Sequence, residues 1–180
     1  MDIYKLKFTV LQMEIFRLLC VKAGALLNQS EIARLLNVTP TAVAKALVLL
    51  EKEERITVTR GKTNLNMVEL NRDSKRSLEL KRAENLKMLI ESGLPTFLEE
   101  NIPGCTIILF GSFCRGDDTI KSDIDVAVIG IHEEDISLEK YEKLLEKEIR
   151  INYYKSLKDI NKYLKANILN GIVLSGGIEL

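Results

Sequence analysis

The sequence predicts an α+β chain in two parts: three helices closed by a β-hairpin, then a mixed sheet flanked by helices. Three observations predict it. Residues 10–53 hold three stretches with apolar side chains at helical spacing, the second and third joined by a tight turn, and an alternating hairpin follows over 55–70. Residues 105–130, CTIILFGSFCRGDDTIKSDIDVAVIG, read as an apolar strand, a Gly-Ser turn and a second apolar strand headed by two carboxylates. Between the two parts the composition turns charged and helix-prone. The expected division is therefore 1–70, a linker helix over 71–92, and 93–180.

The first helix is expected over 10–23, with Leu11, Ile15, Leu18 and Leu19 on one face and Gly24 ending it. Asn28 with Glu31 three positions on is a capping-box pattern, opening a short helix over 31–37 with Ile32, Leu35 and Leu36 inward. Thr39 before Pro40 favours extended backbone and caps the third helix, 40–53, which buries Val43, Leu47 and Leu50. Ile56 and Val58 alternate inward on the first hairpin strand, Gly61-Lys62 turns, and 66–70 pairs back. Three helices with a short middle turn and then a hairpin resemble the winged helix-turn-helix family over about residues 8–70. The resemblance implies that the third helix enters the DNA major groove by its N-terminal part, where Thr41 and Lys45 face outward. Arg60 and Lys62 at the wing would meet phosphate or the minor groove. No Arg, Asn or Gln stands on that helix for a bidentate base contact. The alternative use of such a module is as a dimerisation or docking surface. Proteins of this kind that read DNA are commonly homodimers.

A helix is expected to start at about Ser74 and to carry Leu78, Leu80, Leu86, Leu89 and Ile90. The cluster Arg72–Arg76 reads as its solvated face. A short helix over 96–101 leads through Pro103-Gly104 into the strand 106–110. After Gly130 an acidic stretch gives way to a helix from about Ser137, then a strand over 149–154 and a last helix over 157–166. The tail from 167 onward was assigned no element.

Composition bounds the chemistry. Lys+Arg and Asp+Glu both number 26, so net charge selects no partner. Residues 1–72 carry 11 basic and 7 acidic side chains, a mild asymmetry between the halves. Three cysteines at no metal-binding spacing and a single histidine, His132, argue against a Cys/His zinc site. No apolar run reaches spanning length and nothing resembles a signal peptide, so the expectation is a cytoplasmic protein with no membrane partner.

The chemistry concentrates at 105–130. Gly111 lets bare backbone approach a ligand, Ser112 is a good N-cap, and a helix N-terminus attracts phosphate. Side chains alternate along a strand, so Asp123 and Asp125 point the same way, roughly 7 Å apart. Like charges at contact repel by about 1 to 4 kcal/mol in a wet dielectric. A divalent cation removes that conflict, and Mg²⁺ is usually held by one or two carboxylates plus substrate phosphates.

Gly111-Ser112, ten residues, then Asp123-x-Asp125 resembles the signature of the nucleotidyltransferases related to DNA polymerase beta, in their minimal branch. The resemblance runs from about Gly93 onward, including the wording around Gly171–Gly176. It implies a Mg²⁺-dependent enzyme, with ATP the expected substrate, that moves an NMP, AMP first among candidates, onto a hydroxyl acceptor, which in that branch is often on a protein. It implies that Asp123 and Asp125 are catalytic metal ligands, that Gly111 and Ser112 hold phosphates, and that Arg115 adds charge there or pairs with Asp117 or Asp118. A third carboxylate is implied on the strand 149–154, whose outward residues are Arg150, Asn152 and Tyr154. Asn152 aligns with the missing acid, and Glu148 is the alternative. A rival reading is a DNA-binding regulator with a nucleotide-sensing, inactive second domain.

Overall fold

The computed structural model describes residues 4–61 and 65–178. They divide into two compact units, 1–81 and 82–180. In the first, helix α1 (Val10–Val21) opens on a capping box in which the Thr9 hydroxyl accepts from the Gln12 N–H and the Gln12 side chain reaches back to the Thr9 N–H. The short strand β1 (Leu27–Asn28) leads into α2 (Gln29–Leu35), which starts two residues earlier than its spacing suggests because Asn28 caps it, with Glu31 closing the box. Thr39 caps α3 (Pro40–Lys52), with Pro40 in its first turn. The axes of α2 and α3 meet at 108°, within the range of a helix-turn-helix.

Strands β2 (Ile56–Arg60) and β3 (Asn66–Leu70) form the hairpin, and β1 joins its other edge to give the antiparallel order β1-β3-β2. Ile15, Leu19, Ile32, Val43, Leu47, Leu50, Ile56, Val68 and Leu70 form one buried core. At about 1.5–3 kcal/mol for each large apolar side chain, that core outweighs the capping bonds that set the helix starts. This is a winged-helix unit. Its hairpin base is tied down by the Arg55 carbonyl, which accepts from the Asn71 N–H and the Ser77 hydroxyl. Helix α4 (Lys75–Ser92) begins in this unit, and its residues from 82 onward belong to the second.

The second unit continues with α5 (Leu94–Asn101), β4 (Thr106–Phe110), α6 (Gly111–Arg115) and β5 (Ile124–Ile129). Then come α7 (Glu139–Leu145), β6 (Ile149–Tyr154), a 3-10 turn (Leu157–Asp159), α8 (Lys162–Leu169) and β7 (Ile172–Ser175). The four strands stand in the order β6-β5-β4-β7. β4 runs antiparallel to β5 and β7, and β5 parallel to β6, so the sheet is mixed. Ile124, Val126 and Val128 are fully buried on one face. Ala127 lies on the other with Ile108 and Phe110, covered by Ile160 and Ile168.

Two elements differ from expectation. The last helix is split, because Ser156 and Asp159 close a capping box around the 3-10 turn and Asn161 then caps α8 afresh. The tail forms the edge strand β7. Gly171 turns into it so tightly that a Cβ would lie 2.3 Å from the Leu109 carbonyl oxygen.

A buried polar network fixes the loop between α6 and β5. Lys147 Nζ lies 3.1 Å from Asp118 Oδ2, and both side chains are almost wholly buried. The same ammonium donates to the Thr119 carbonyl, and the Asn85 amide donates to Asp118 Oδ1 and to the Phe113 carbonyl. Removing one partner of a buried ion pair costs about 3–5 kcal/mol, because the other charge is stranded. Exposed pairs such as Lys75–Glu79 contribute less than about 1 kcal/mol. Among the described residues no single helix is long and apolar enough to cross a membrane.

Candidate active site

The site lies where β4 ends and β5 and β6 begin. Phe110, the last residue of β4, is paired with Asp125 of β5. The chain then enters α6 through Gly111 at φ +76°. A side chain there would be doubly penalised: the left-handed backbone disfavours it, and a Cβ would lie 2.3 Å from Asp125 Oδ2. The bare Gly111 backbone and the Asp125 carboxylate therefore occupy one small space. Asp123, two residues earlier on the same face, is half-buried like Asp125. Burial, and then the charge of Asp123, push the Asp125 carboxyl above the usual carboxylate range, while Arg150 and Arg115 pull it back.

Ser112 is the second residue of α6, half-buried, and does not serve as its N-cap. Phe110 holds that position, and no side chain caps the helix. The reason is that Gly111 already takes up the turn, which places the helix start two residues earlier than a Ser112 cap would. Arg115 is committed elsewhere: Nε donates to Asp117 Oδ2 at 3.3 Å and Nη1 to Asn167 Oδ1 at 3.1 Å. Of the two arrangements open in the sequence, the pairing with Asp117 is the one found. The thiol of Cys114 is buried, and that burial pushes its pKa up, which suits a packing residue.

The register of β6 changes the expected alignment of the third ligand. Asp125 stands beside Arg150, and Asn152 stands beside Ala127, one step further into the sheet. The Asn152 amide points to the Val126 carbonyl, 3.5 Å away. The residue level with the aspartate pair is thus Arg150. Its Nη1 lies 3.0 Å from Asp123 Oδ2, and its Nε donates to Glu148 Oε1 at 3.1 Å. Glu148, largely exposed, is thereby engaged by the guanidinium. In the sequence Arg150 is outward-facing by strand parity with no role attached, and a cation on the strand beside an Asp-x-Asp pair is the signal that points to it.

The donor set fits one divalent cation. Asp123 and Asp125 offer hard oxygens on a single face, and the burial and neighbouring charge that raise the proton affinity of Asp125 are both offset by a bound cation. Among the described residues no group of three or more His, Cys, Asp or Glu is arranged to hold a metal ion. A separate cavity of about 1060 Å³, lined by Thr106, Ile129, Lys155 and Ser175 among others, lies at the opposite ends of the same strands.

Residues 92–174 match the family model of the nucleotidyltransferase domain. The matched residues fall within the second unit, which is thus similar to that domain. No curated protein matches the chain. Among solved structures, a mutant of ZitR from Lactococcus lactis aligns at 21% identity over 54% of this chain and 64% of that one, with a TM-score of 0.41. The adhesin competence repressor AdcR of Streptococcus pyogenes aligns at 19% identity over 56% and 72% of the two chains, with a TM-score of 0.42. MepR, a transcription regulator of the Staphylococcus aureus multidrug efflux pump MepA, gives 19%, 54% and 68%, with a TM-score of 0.41. The chain thus spans less than two thirds of the ZitR chain it matches.

In the first unit, Thr41 and Lys45 are exposed one turn apart on α3, and Arg60 is exposed at the end of β2. Lys62 lies outside the described residues.

The close approach of Gly111 to Asp125 makes a direct prediction. Gly111→Ala destabilises the protein by about 1–2 kcal/mol from backbone strain alone, read by denaturant unfolding. It also weakens Mn²⁺ binding, because the new methyl displaces the Asp125 carboxylate. Unchanged Mn²⁺ affinity would show that the carboxylate does not depend on that glycine.

Proposed function

We propose that the second unit is a Mg²⁺-dependent nucleotidyltransferase that moves an NMP, with AMP the first candidate, from a nucleoside triphosphate to a hydroxyl acceptor. The observation that carries this reading is the Asp125 carboxylate pressed against the Gly111 backbone, with Asp123 beside it on the same face. Asp123 and Asp125 would hold the cation, which when bound would neutralise charge on the triphosphate and on the leaving pyrophosphate. Gly111 and Ser112 begin a helix whose first N–H groups have no partner within it, and these would orient the phosphate chain. In the reaction the acceptor oxygen bonds to the α-phosphorus, the bond from that phosphorus to the bridging oxygen of pyrophosphate breaks, and the acceptor proton leaves to solvent. The protein's part is positioning and electrostatics. A hydroxyl on a partner protein is the acceptor we favour.

For the first unit we propose duplex DNA as the ligand, on the exposure of Thr41, Lys45 and Arg60. With so few groups able to read bases, phosphate contacts would supply most of the affinity. The unit would then direct or regulate the transferase.

Two experiments test these readings. With α-labelled ATP and Mg²⁺, label passes to an acceptor in an extract and Asp123→Asn abolishes the transfer; transfer that survives in Asp123→Asn contradicts the assignment. For DNA, affinity falls linearly with salt on a logarithmic plot, and Lys45→Ala reduces the slope by about 0.9. A slope unchanged by that substitution removes Lys45 from the interface.

A further inference from the structure

We propose that Arg150 is the fixed cation of this site, engaging the Asp123 oxygen that a second metal ion would need, so that the site takes one divalent cation and not two. The inference rests on the reading that the aspartate pair binds a cation and a nucleotide. It follows from the register: Arg150 is the neighbour of Asp125 across β5 and β6. Its guanidinium reaches two acids at once, Asp123 Oδ2 at 3.0 Å and Glu148 Oε1 at 3.1 Å. Arg cannot be deprotonated in proteins, and its planar fork suits such bridging. Asp123, Asp125 and Glu148 together with Arg150 leave a charge of about −2, which one divalent ion balances. A second ion would have to displace the guanidinium from Asp123 and leave it beside two metals.

The consequence falls on the acceptor side of the reaction. Arg150 can stabilise negative charge there, but it can neither take a proton nor generate a metal-bound nucleophile. The acceptor is therefore a group that reacts without that help, or turnover is slow.

Metal counting tests this apart from activity. At saturating adenosine 5′-(α,β-methylene)triphosphate, Mn²⁺ titration followed by electron paramagnetic resonance gives one bound ion per chain for the wild type and for Arg150→Lys, and two for Arg150→Asp. Without nucleotide, Arg150→Gln binds Mn²⁺ about tenfold more tightly than wild type, the effect of removing one positive charge some 5 Å from a divalent ion in a wet dielectric. Two ions in the wild type, none in the wild type, or unchanged affinity in Arg150→Gln would each overturn the proposal. Failure of label transfer with one ion bound would reject the transferase reading and leave the role of Arg150 standing.

Discussion

Two carboxylates on one face of a strand, one of them against a glycine that admits no side chain, are the constraint around which the second unit is built. Ile124 and Val126, fully buried, anchor β5 from its other face, so Asp123 and Asp125 cannot rotate away from each other. Phe110 pairs with Asp125 and passes the chain directly into Gly111. Each of these is an ordinary consequence of strand alternation and register. Together they half-bury the Asp125 carboxylate beside Asp123, and burial first, then that neighbouring charge, raise its proton affinity. An isolated charge conflict of this kind is a poor way to stabilise a fold, and sites of chemistry are where such conflicts gather.

The supporting structure holds that arrangement without easing it. Lys147, at the approach to β6, neutralises Asp118 and grips the loop carbonyls that precede Asp123, and Asn85 of α4 secures the other side of Asp118. That network is buried, whereas the cluster at Asp123, Glu148 and Arg150 is partly open to solvent. The contrast in burial separates roles: the first sets the loop, and the second stays accessible to a ligand.

Much of this was legible in the sequence. Asn28 with Glu31, Thr39 with Pro40, and the alternation of 56–60 placed the helices and hairpin of the first unit, because caps and periodicity act within a few residues. The Gly-Ser and Asp-x-Asp spacing placed the site for the same reason. What could not be read depends on contacts distant in sequence. The strand β7 is short, and only its pairing with β4 defines it. Strand parity put Arg150 and Asn152 on one face but fixed no register, and only the pairing of β5 with β6 sets Arg150 beside Asp125. Ser112 lies two residues past the cap position because Gly111 starts the helix. The burial of Lys147 and Asp118 arises from packing that no local pattern records.

The central claim is that Asp125 carries a strained negative charge kept ready for a cation. Burial and Asp123 raise its pKa in the metal-free fold, so protonation stabilises the protein there as pH falls, and a bound divalent ion must favour the ionised form. A carbon-13 NMR titration of the Asp125 carboxyl, with and without Mg²⁺, measures this directly. The account predicts a midpoint above the usual aspartate range in metal-free protein and a marked drop when Mg²⁺ is present. A midpoint in the ordinary range that Mg²⁺ does not move would contradict it.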